Sequence, residues 1–310
     1  MKKVEELRII FFGTPDFAVA SLDALLVAGA NVVAVVTAPD KPAGRGMQLQ
    51  ASAVKQYATG KGLVVLQPEK MKTPQFMDTL KTLNADLQVV VAFRMMPVMI
   101  WDMPPMGTIN VHGSLLPQYR GAAPINWAII NGETVTGVTT FKLKHEIDTG
   151  DILLQQKVPI LPHDNAGTMH DKLMAAGAAL LVKTVSGLAE GTLREWPQQE
   201  VTVGAITNAP KIHKEDLLID WNTPVTEVNN FIRGMSPYPT AYTMLGSKTL
   251  KIYAARYKEE ETGEDPGALD TDSATFLSFA AEDGWLYAEE VQLEGKKRMG
   301  IVEFLRGYRG

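Results

Sequence analysis

The sequence predicts an α/β fold, with a doubly wound, Rossmann-like N-terminal domain and a small C-terminal β-barrel of OB-like type. Through the first two-thirds of the chain, continuous apolar runs alternate with helical segments, the pattern of a mostly parallel sheet covered by helices on both faces. After residue 240, short apolar runs are separated by polar turns, which favours a small barrel. The length of 310 residues is sufficient for two domains.

Five apolar runs predict buried parallel strands, because strands covered on both faces read as continuous rather than alternating segments. These runs are residues 7–13, 31–37, 63–67, 86–92 and 108–111. The segments between them predict helices at 14–29, 52–61 and 73–83. In the first helix we expect Thr14 to be the N-cap and Pro15 the first helical residue. Residues 38–50 are rich in Pro and Gly and predict a long loop.

The pattern changes after Pro124. It predicts a short helix at 125–131, two strands close enough to pair antiparallel at 135–144 and 151–158, and a long amphipathic helix at 167–188. We divide the chain into an α/β domain at 1–190, a linker at 191–209 that includes an extended segment at 201–206, and a C-terminal barrel domain at 210–310. In the barrel domain the pattern predicts a helix at 225–234 and strands at 240–245, 249–257, 267–269, 275–279 and 284–292.

The composition limits the chemistry. The chain contains no cysteine, which excludes disulfides, thiolate metal sites and a cysteine nucleophile, and agrees with a cytoplasmic location. Its first residues show no apolar signal core, and no run of about 18 apolar residues predicts a membrane span. The net charge of -5 argues against bulk nucleic-acid binding, although a local basic loop can still make a small specific contact.

Polar side chains mark the end of the fifth predicted strand and a later loop. Asn110 and His112 are two residues apart, so in a strand they face the same side. Asp148 lies in the polar segment 145–151 between two predicted strands, from which a carboxylate could reach His112. Because ligands of open α/β sheets bind beyond the carboxyl ends of the strands, we expect a site at this edge.

These three residue types suit acyl transfer through a tetrahedral intermediate. The amide of Asn110 can donate to a developing oxyanion, His112 can move protons near neutral pH, and Asp148 can orient the imidazole. No serine is obviously activated, so the nucleophile should come from a substrate, for example an amine. From the residues alone, a structural histidine at a strand end is an alternative of similar weight.

Other motifs give weaker indications. Gly13 lies between a strand and a helix, but the chain has no G-x-G-x-x-G and no P-loop pattern, which argues against a dinucleotide site. His163 and His170 are seven residues apart, yet His163 belongs to a loop, so we predict no metal site.

Motifs across nearly the whole chain resemble those of the folate-dependent formyltransferase family. They are IIFFGTPDFA at 9–18, PDKPAGRG at 39–46, NVHGSLLP at 110–117, RGAAP at 120–124, DTGD at 148–151, IDW at 219–221 and GKK at 295–297. The opening, the loop at 39–46 and the second domain are most similar to the branch of the family that formylates methionyl-tRNA.

The resemblance implies a donor, an acceptor and a set of site residues. The donor would be 10-formyltetrahydrofolate as a cosubstrate, the acceptor the α-amine of methionine on initiator tRNA, and no metal would be needed. The resemblance implies that Asn110 and protonated His112 stabilise the oxyanion, while His112 and Asp148 manage proton transfer from the attacking amine to the leaving folate nitrogen. The folate site would be lined by Ser114, Leu115, Leu116, Pro117 and Phe93.

The same resemblance gives the 38–50 loop a role. It is similar to an insertion that enters the acceptor stem of the tRNA, where Lys41 and Arg45 could contact phosphates or base edges. The chain differs from many members at Met47-Gln48, where they carry basic residues, and at Phe93-Arg94, where they read Tyr-Gly. Residues 205–310 contain 12 Lys and Arg against 17 Asp and Glu. Contact with tRNA there would therefore need a local patch, for which the candidates are Lys211, Lys214, Lys248, Lys251, Lys296, Lys297 and Arg298.

Alternative functions remain open. The same Asn-His-Asp site could formylate a small amine, such as a glycinamide ribonucleotide or an amino sugar, or hydrolyse the formyl donor with water as the acceptor. The chain could instead be a nucleic-acid-binding module with an idle α/β domain, although the intact trio argues against this. We expect a monomer that does not associate with membranes.

Overall fold

The computed structural model describes residues 3–43, 48–201 and 204–308. Contacts divide the chain into two compact units, each assembled from separated segments. The first unit contains residues 1–120, 137–158 and 171–208, and the second contains residues 121–136, 159–170 and 209–310. The second unit therefore includes two segments that come well before the last hundred residues.

The helices and strands are numbered along the chain. The helices are α1 (Asp16–Val27), α2 (Ala53–Gly60), α3 (Pro74–Thr82), α4 (Val98–Trp101), α5 (Pro124–Ile130), α6 (Ala166–Glu190), α7 (Gln198–Val201), α8 (Val225–Met235) and α9 (Ile301–Gly307). The strands are β1 (Ile9–Gly13), β2 (Val32–Val36), β3 (Lys41–Ala43), β4 (Gln48–Gln50), β5 (Val65–Leu66), β6 (Leu87–Val91), β7 (Thr108–His112), β8 (Arg120–Gly121), β9 (Val135–Lys142), β10 (Ile152–Pro159), β11 (Asn208–Ala209), β12 (Tyr242–Leu245), β13 (Lys248–Glu259), β14 (Leu269–Thr271), β15 (Leu277–Ala280), β16 (Gly284–Leu293) and β17 (Met299–Gly300).

The largest sheet has seven strands in the order β10, β9, β7, β6, β1, β2 and β5. The pairs formed by β5, β2, β1, β6 and β7 are parallel, and β9 pairs with β7 in the antiparallel sense. Every residue of β1 and β6 is buried, which explains why these strands read as continuous apolar runs. The strand order runs outward from β1 in both directions, so the doubly wound prediction is confirmed.

The N-terminal caps of α1 and α2 differ in kind, and the predicted cap of α1 was wrong. Ser52 caps α2 as its Oγ accepts a hydrogen bond from the Lys55 N–H at 3.0 Å. The expected Thr14 cap of α1 is wrong: Pro15 is the N-cap, with ψ of 179°, and the helix begins at Asp16. The Thr14 carbonyl instead accepts a hydrogen bond of 3.3 Å from the Val54 N–H in the first turn of α2.

The predicted 38–50 loop contains a short antiparallel pair, β3 with β4. Asp40 holds the start of this hairpin by accepting hydrogen bonds from Lys55 Nζ at 2.6 Å and Gln67 Nε2 at 2.8 Å. The hydrogen bond from Lys55 and then that from Gln67 hold the pKa of Asp40 below its ordinary value. Residues 44–47, which include Arg45, lie outside the described part of the chain.

The second unit is built on an antiparallel sheet in the order β12, β13, β16, β15 and β14, with β17 beside β16. Helix α8 packs on this sheet through buried Val228 and Ile232, and Trp221 stacks on Phe279 with ring centroids 4.9 Å apart. The predicted small β domain is confirmed. The sequence pattern did not predict α9 and β17, and the prediction at Val201 was wrong, since this residue ends α7 rather than beginning an extended segment.

Two findings concern predicted absences. Among the described helices, α6 is long and apolar enough to cross a membrane, but half of its most apolar window is buried in the fold, as in a core helix. Within residues 3–43, 48–201 and 204–308, no group of three His, Cys, Asp or Glu residues could hold a metal ion. That the protein has no membrane-spanning segment and no metal site remains a prediction.

Candidate active site

His112 is the last residue of β7, at the carboxyl edge of the parallel strands. Its side chain is buried, and Nε2 lies 2.8 Å from the carbonyl oxygen of Tyr119, to which it can donate. The ring meets the edge of Phe141 on the neighbouring strand β9, with an interplanar angle of 86°. The contacts with the Phe141 ring and the Tyr119 carbonyl both limit the orientation of the imidazole.

Asp148 lies in the loop between β9 and β10. Its Oδ2 is 3.8 Å from Nδ1 of His112, and both side chains are about nine-tenths buried. The sequence expectation that a carboxylate from this loop reaches His112 is met by this geometry. A protonated imidazole could therefore donate from Nε2 to the Tyr119 carbonyl, while the Asp148 carboxylate, beyond hydrogen-bond distance of Nδ1, would attract its charge.

The loop that carries Asp148 has little freedom. Asp148 itself has φ of +55°, an uncommon conformation for a residue with a side chain. A Cβ added at Gly150 would lie only 1.5 Å from the carbonyl oxygen of Lys142, so only glycine fits there. Lys144 also pairs with Asp151 at 2.7 Å. The carboxylate is thus delivered by a loop whose backbone passes very close to β9.

Asn110 stands two residues before His112 on β7. It is half-buried and lies opposite Phe141 in the pairing with β9, while His112 lies opposite Thr139. The alternation of strand side chains places both residues on one face of the sheet. An amide donor, an imidazole and a carboxylate at one strand end can stabilise an oxyanion and move a proton.

The predicted folate segment follows β7, and the hydroxyl of Thr139 bonds its backbone at two points. Thr139 Oγ1 donates to the carbonyl of Ser114 at 2.7 Å and accepts from the Leu116 N–H at 3.1 Å. It also accepts from Gln155 Nε2 at 2.9 Å. Ser114 is fully buried and its hydroxyl donates to the Gln118 carbonyl at 2.6 Å, so it is not free to serve as a nucleophile. Leu115 is half-buried, whereas Leu116 and Pro117 are buried.

Phe93 follows β6, the strand beside β7. Its half-buried ring meets the edge of Phe12, at the end of β1, with centroids 5.6 Å apart. Arg94 is exposed, and its guanidinium donates to the backbone carbonyls of Pro68 and Glu69. The departure at these two positions therefore places an aromatic ring at the strand end and directs the cation to a neighbouring loop.

Sequence reasoning missed two polar residues that support this site. Thr139 lies within an ordinary strand pattern, and Gln198 lies in a segment that reads as a polar connector, 50 residues after Asp148. Gln198 is fully buried. No spacing rule joins residues so far apart in the chain, so only their packing reveals them.

The residues predicted to contact tRNA differ in their surroundings. Lys41 is exposed at the first position of β3. Arg45 lies outside the described residues, so its role remains a prediction. In the second unit, Arg298 stacks on Tyr253 at 4.2 Å and pairs with Glu290, and Lys297 pairs with Glu303 at 3.6 Å. Two of the predicted patch cations thus have acidic partners.

Two family models match this chain. Residues 7–185 match the family described as formyl transferase, and residues 211–309 match the formyl transferase C-terminal domain. The chain belongs to the formyl transferase family. The two matched regions leave a short gap that contains α7 and β11.

Formyl transferases from several bacteria are similar over their whole length. A methionyl-tRNA formyltransferase of Parabacteroides distasonis is 54% identical, covering 100% of this chain and 98% of the relative. A second, from Flavobacterium johnsoniae, is 47% identical, with 98% and 97% covered. The family resemblance inferred from the motifs is therefore confirmed.

Solved structures of lower identity share the fold. An N-formyltransferase from Helicobacter canadensis, in complex with folinic acid and dTDP-3-aminofucose, has a TM-score of 0.66 and 20% identity, covering 91% of this chain and 98% of that one. HypX from Aquifex aeolicus, in complex with tetrahydrofolic acid, has a TM-score of 0.64 and 17% identity, with 97% and 48% covered. The formyl transferase fold thus occurs alone and as part of longer chains.

Proposed function

We propose that this protein transfers the formyl group of 10-formyltetrahydrofolate to the α-amine of methionine on initiator tRNA, for translation initiation. The observation that carries the proposal is the end-to-end identity of 54% to a methionyl-tRNA formyltransferase. A chain that differed in acceptor would be expected to lose similarity in the acceptor-binding parts, yet the match covers both formyl transferase regions.

The donor proposal rests on the family and on the strand-end segment. Formyl transferases use a formyl-tetrahydrofolate, and HypX binds tetrahydrofolic acid. In this chain Ser114–Pro117 and Phe93 are proposed to line the folate site, because they follow the neighbouring strands β7 and β6. The 10-formyl isomer is proposed because the resemblance to the formyltransferase family implies it.

The proposed mechanism needs no protein nucleophile. The methionine amine attacks the formyl carbon, and the carbonyl π electrons move to oxygen to give a tetrahedral oxyanion. Asn110 donates to that oxygen and protonated His112 stabilises its charge. A proton passes from the attacking nitrogen, with His112 and Asp148 directing it, to the folate nitrogen. The carbon–nitrogen bond to the folate then breaks and the formyl amide is released.

The acceptor proposal extends to the other predicted residues. Lys41 and Arg45, in the predicted 38–50 loop, are proposed to contact the acceptor stem of the tRNA. We also keep the proposed division into a catalytic domain at 1–190, a linker at 191–209 and a tRNA-binding domain at 210–310. A cytoplasmic monomer that binds no membrane is part of the same proposal. No observation favours a small amine or water as the acceptor.

The test measures formyl transfer from 10-formyltetrahydrofolate to methionyl initiator tRNA. His112→Ala should lower kcat by about 10²- to 10⁴-fold, the usual contribution of a general acid–base group. His163→Ala, at an exposed histidine of the second unit, is the matched control and should keep wild-type activity. Arg45→Ala should raise KM for the tRNA alone.

Two results would contradict the proposal in different parts. A wild-type protein that consumes the donor without formylating the tRNA would refute the acceptor and leave the trio standing. A His112→Ala variant as active as the His163→Ala control would refute the catalytic role of the strand-end histidine.

A further inference from the structure

The buried amide of Gln198 joins the two chain segments that face His112. It is the first residue of α7, in the connector after α6, and its side chain is fully buried. Buried amides are kept when their hydrogen bonds are satisfied, so the partners of this one indicate what it holds together.

On one side, Gln198 holds the Asp148 loop. Its Nε2 donates to the carbonyl oxygens of Asp148 and Gly150, each at 2.8 Å. These two carbonyls flank the turn from which the carboxylate reaches Nδ1 of His112. Asp148 is in a left-handed conformation, so the loop depends on outside contacts to keep that backbone.

On the other side, Gln198 holds Arg120. Its Oε1 accepts from Arg120 Nε at 3.0 Å and from Nη2 at 2.6 Å, a two-point contact that fixes the plane of the guanidinium. Arg120 directly follows Tyr119, whose carbonyl lies 2.8 Å from Nε2 of His112. The Gln198 side chain therefore holds the loop beside Nδ1 of His112 and the segment beside Nε2.

The position of Gln198 is itself fixed by the backbone. Two residues earlier, Trp196 forms an isolated bridge with Ile152, the first residue of β10, through hydrogen bonds of 2.8 and 2.9 Å. The bridge ties the connector to the strand that follows the Asp148 loop. This bridge therefore fixes the position of the Gln198 side chain relative to the Asp148 loop.

We propose that Gln198 is a positioning residue for formyl transfer, acting by holding Asp148 and the Tyr119–Arg120 segment against the two nitrogens of His112. This inference rests on the proposed function, because it assigns Gln198 a part in the same reaction. We assign Gln198 no direct part in the chemistry, because its side chain bonds Asp148, Gly150 and Arg120, through which it would act on His112.

The variants separate the two halves of the contact. Gln198→Met keeps the length of the side chain and removes its hydrogen bonds to Asp148, Gly150 and Arg120. Gln198→Glu keeps the acceptor for Arg120 but turns the donor toward the Asp148 and Gly150 carbonyls into a carboxylate oxygen, so it should not rescue activity. Gln199→Met, at the exposed neighbouring residue, is the matched control.

The kinetic experiment measures kcat and KM for both substrates in wild type, Gln198→Met, Asp148→Asn and the double variant. Gln198→Met should lower kcat on the order of 10²-fold, the cost of a displacement of about 1 Å, with both KM values unchanged. In the Asp148→Asn background it should add little, because coupled residues are not additive. Full multiplication of the two effects would overturn the part of the proposal in which Gln198 acts through Asp148.

A crystal structure of Gln198→Met tests the same inference without any substrate. We expect the Asp148–Gly150 segment to move and the carboxylate to leave the 3.8 Å separation from His112. An unchanged separation would overturn the positioning role whatever acceptor the wild type uses. A displaced loop in an enzyme that fails to formylate tRNA would instead support the positioning role and refute the proposed acceptor.

Discussion

The hydroxyl of Thr139 should carry a large share of the local stability of the proposed folate segment. Thr139→Val keeps the size and shape of the side chain and removes three hydrogen bonds, to Ser114, Leu116 and Gln155. At about 0.5–1.5 kcal/mol for each bond, the free energy of unfolding should fall by about 2–4 kcal/mol. The site is fully buried, so water cannot readily replace the missing partner.

Thr136 provides the matched control on the same strand. Its hydroxyl is buried and has no hydrogen-bond partner among the described residues. Thr136→Val should therefore be neutral or slightly stabilising, because it removes a polar atom that is already unsatisfied. The pair differs in hydrogen bonding while the chemical change is the same.

Urea unfolding followed by circular dichroism measures the difference. With a slope of about 1–3 kcal/mol per molar urea, the Thr139→Val midpoint should fall by about 0.7 M or more relative to Thr136→Val. The KM for the formyl donor should also rise, because two backbone groups of the 114–117 segment are no longer anchored. Equal midpoints for the two variants would refute the role of Thr139 as the anchor of this segment.

Three further predictions concern other parts of the molecule. Gly150→Ala should abolish formyl transfer because its Cβ would lie 1.5 Å from the Lys142 carbonyl oxygen, whereas Gly60→Ala, with open space around it, should be tolerated; a fully active Gly150→Ala enzyme would contradict the loop geometry. The hydrogen bond from Lys55 lowers the pKa of Asp40, so the stability that the Asp40 carboxylate contributes is present above its unfolded pKa and is lost as pH falls through the folded value. In Lys55→Met, carbon NMR titration should show a higher pKa for Asp40, and an unchanged pKa would exclude the contribution of that bond. Replacing Lys296, Lys297 and Arg298 with Ala should weaken tRNA binding and reduce its salt slope by about one unit for each phosphate that the protein no longer neutralises, and an unchanged slope would exclude this patch from the tRNA-binding surface.

The strand pattern was predictable because burial leaves a direct trace in the sequence. Strands β1 and β6 are covered on both faces, and each therefore appears as an unbroken apolar run. The predicted start of the helix that follows β1 was less accurate. Thr14 precedes a proline with extended backbone, and α1 begins two residues after Thr14. Short elements such as α7, α9 and β17 were missed because two to seven residues carry too little periodicity.

The placement of the strand-end residues was also predictable, but their supports were not. Asn110 and His112 follow from strand alternation, and Asp148 follows from a polar loop between two strands. Gln198 reaches that loop from a connector 50 residues later, through hydrogen bonds to backbone carbonyls. Carbonyls occur at every residue, so nothing in the sequence marks which of them will be bonded.

The second compact unit is discontinuous along the chain, and this limits how the protein can be divided. Helix α5, from the 121–136 segment, packs on α8, where the Asn126 amide donates to the Gly234 carbonyl at 2.8 Å. A Cβ at Gly234 would lie 2.6 Å from Ile130, so the two helices are closely fitted. A fragment that begins at residue 209 would leave that helix face open to water. Exchanging this unit with that of a relative would therefore require the replacement of three separate stretches of the gene rather than a single fusion point.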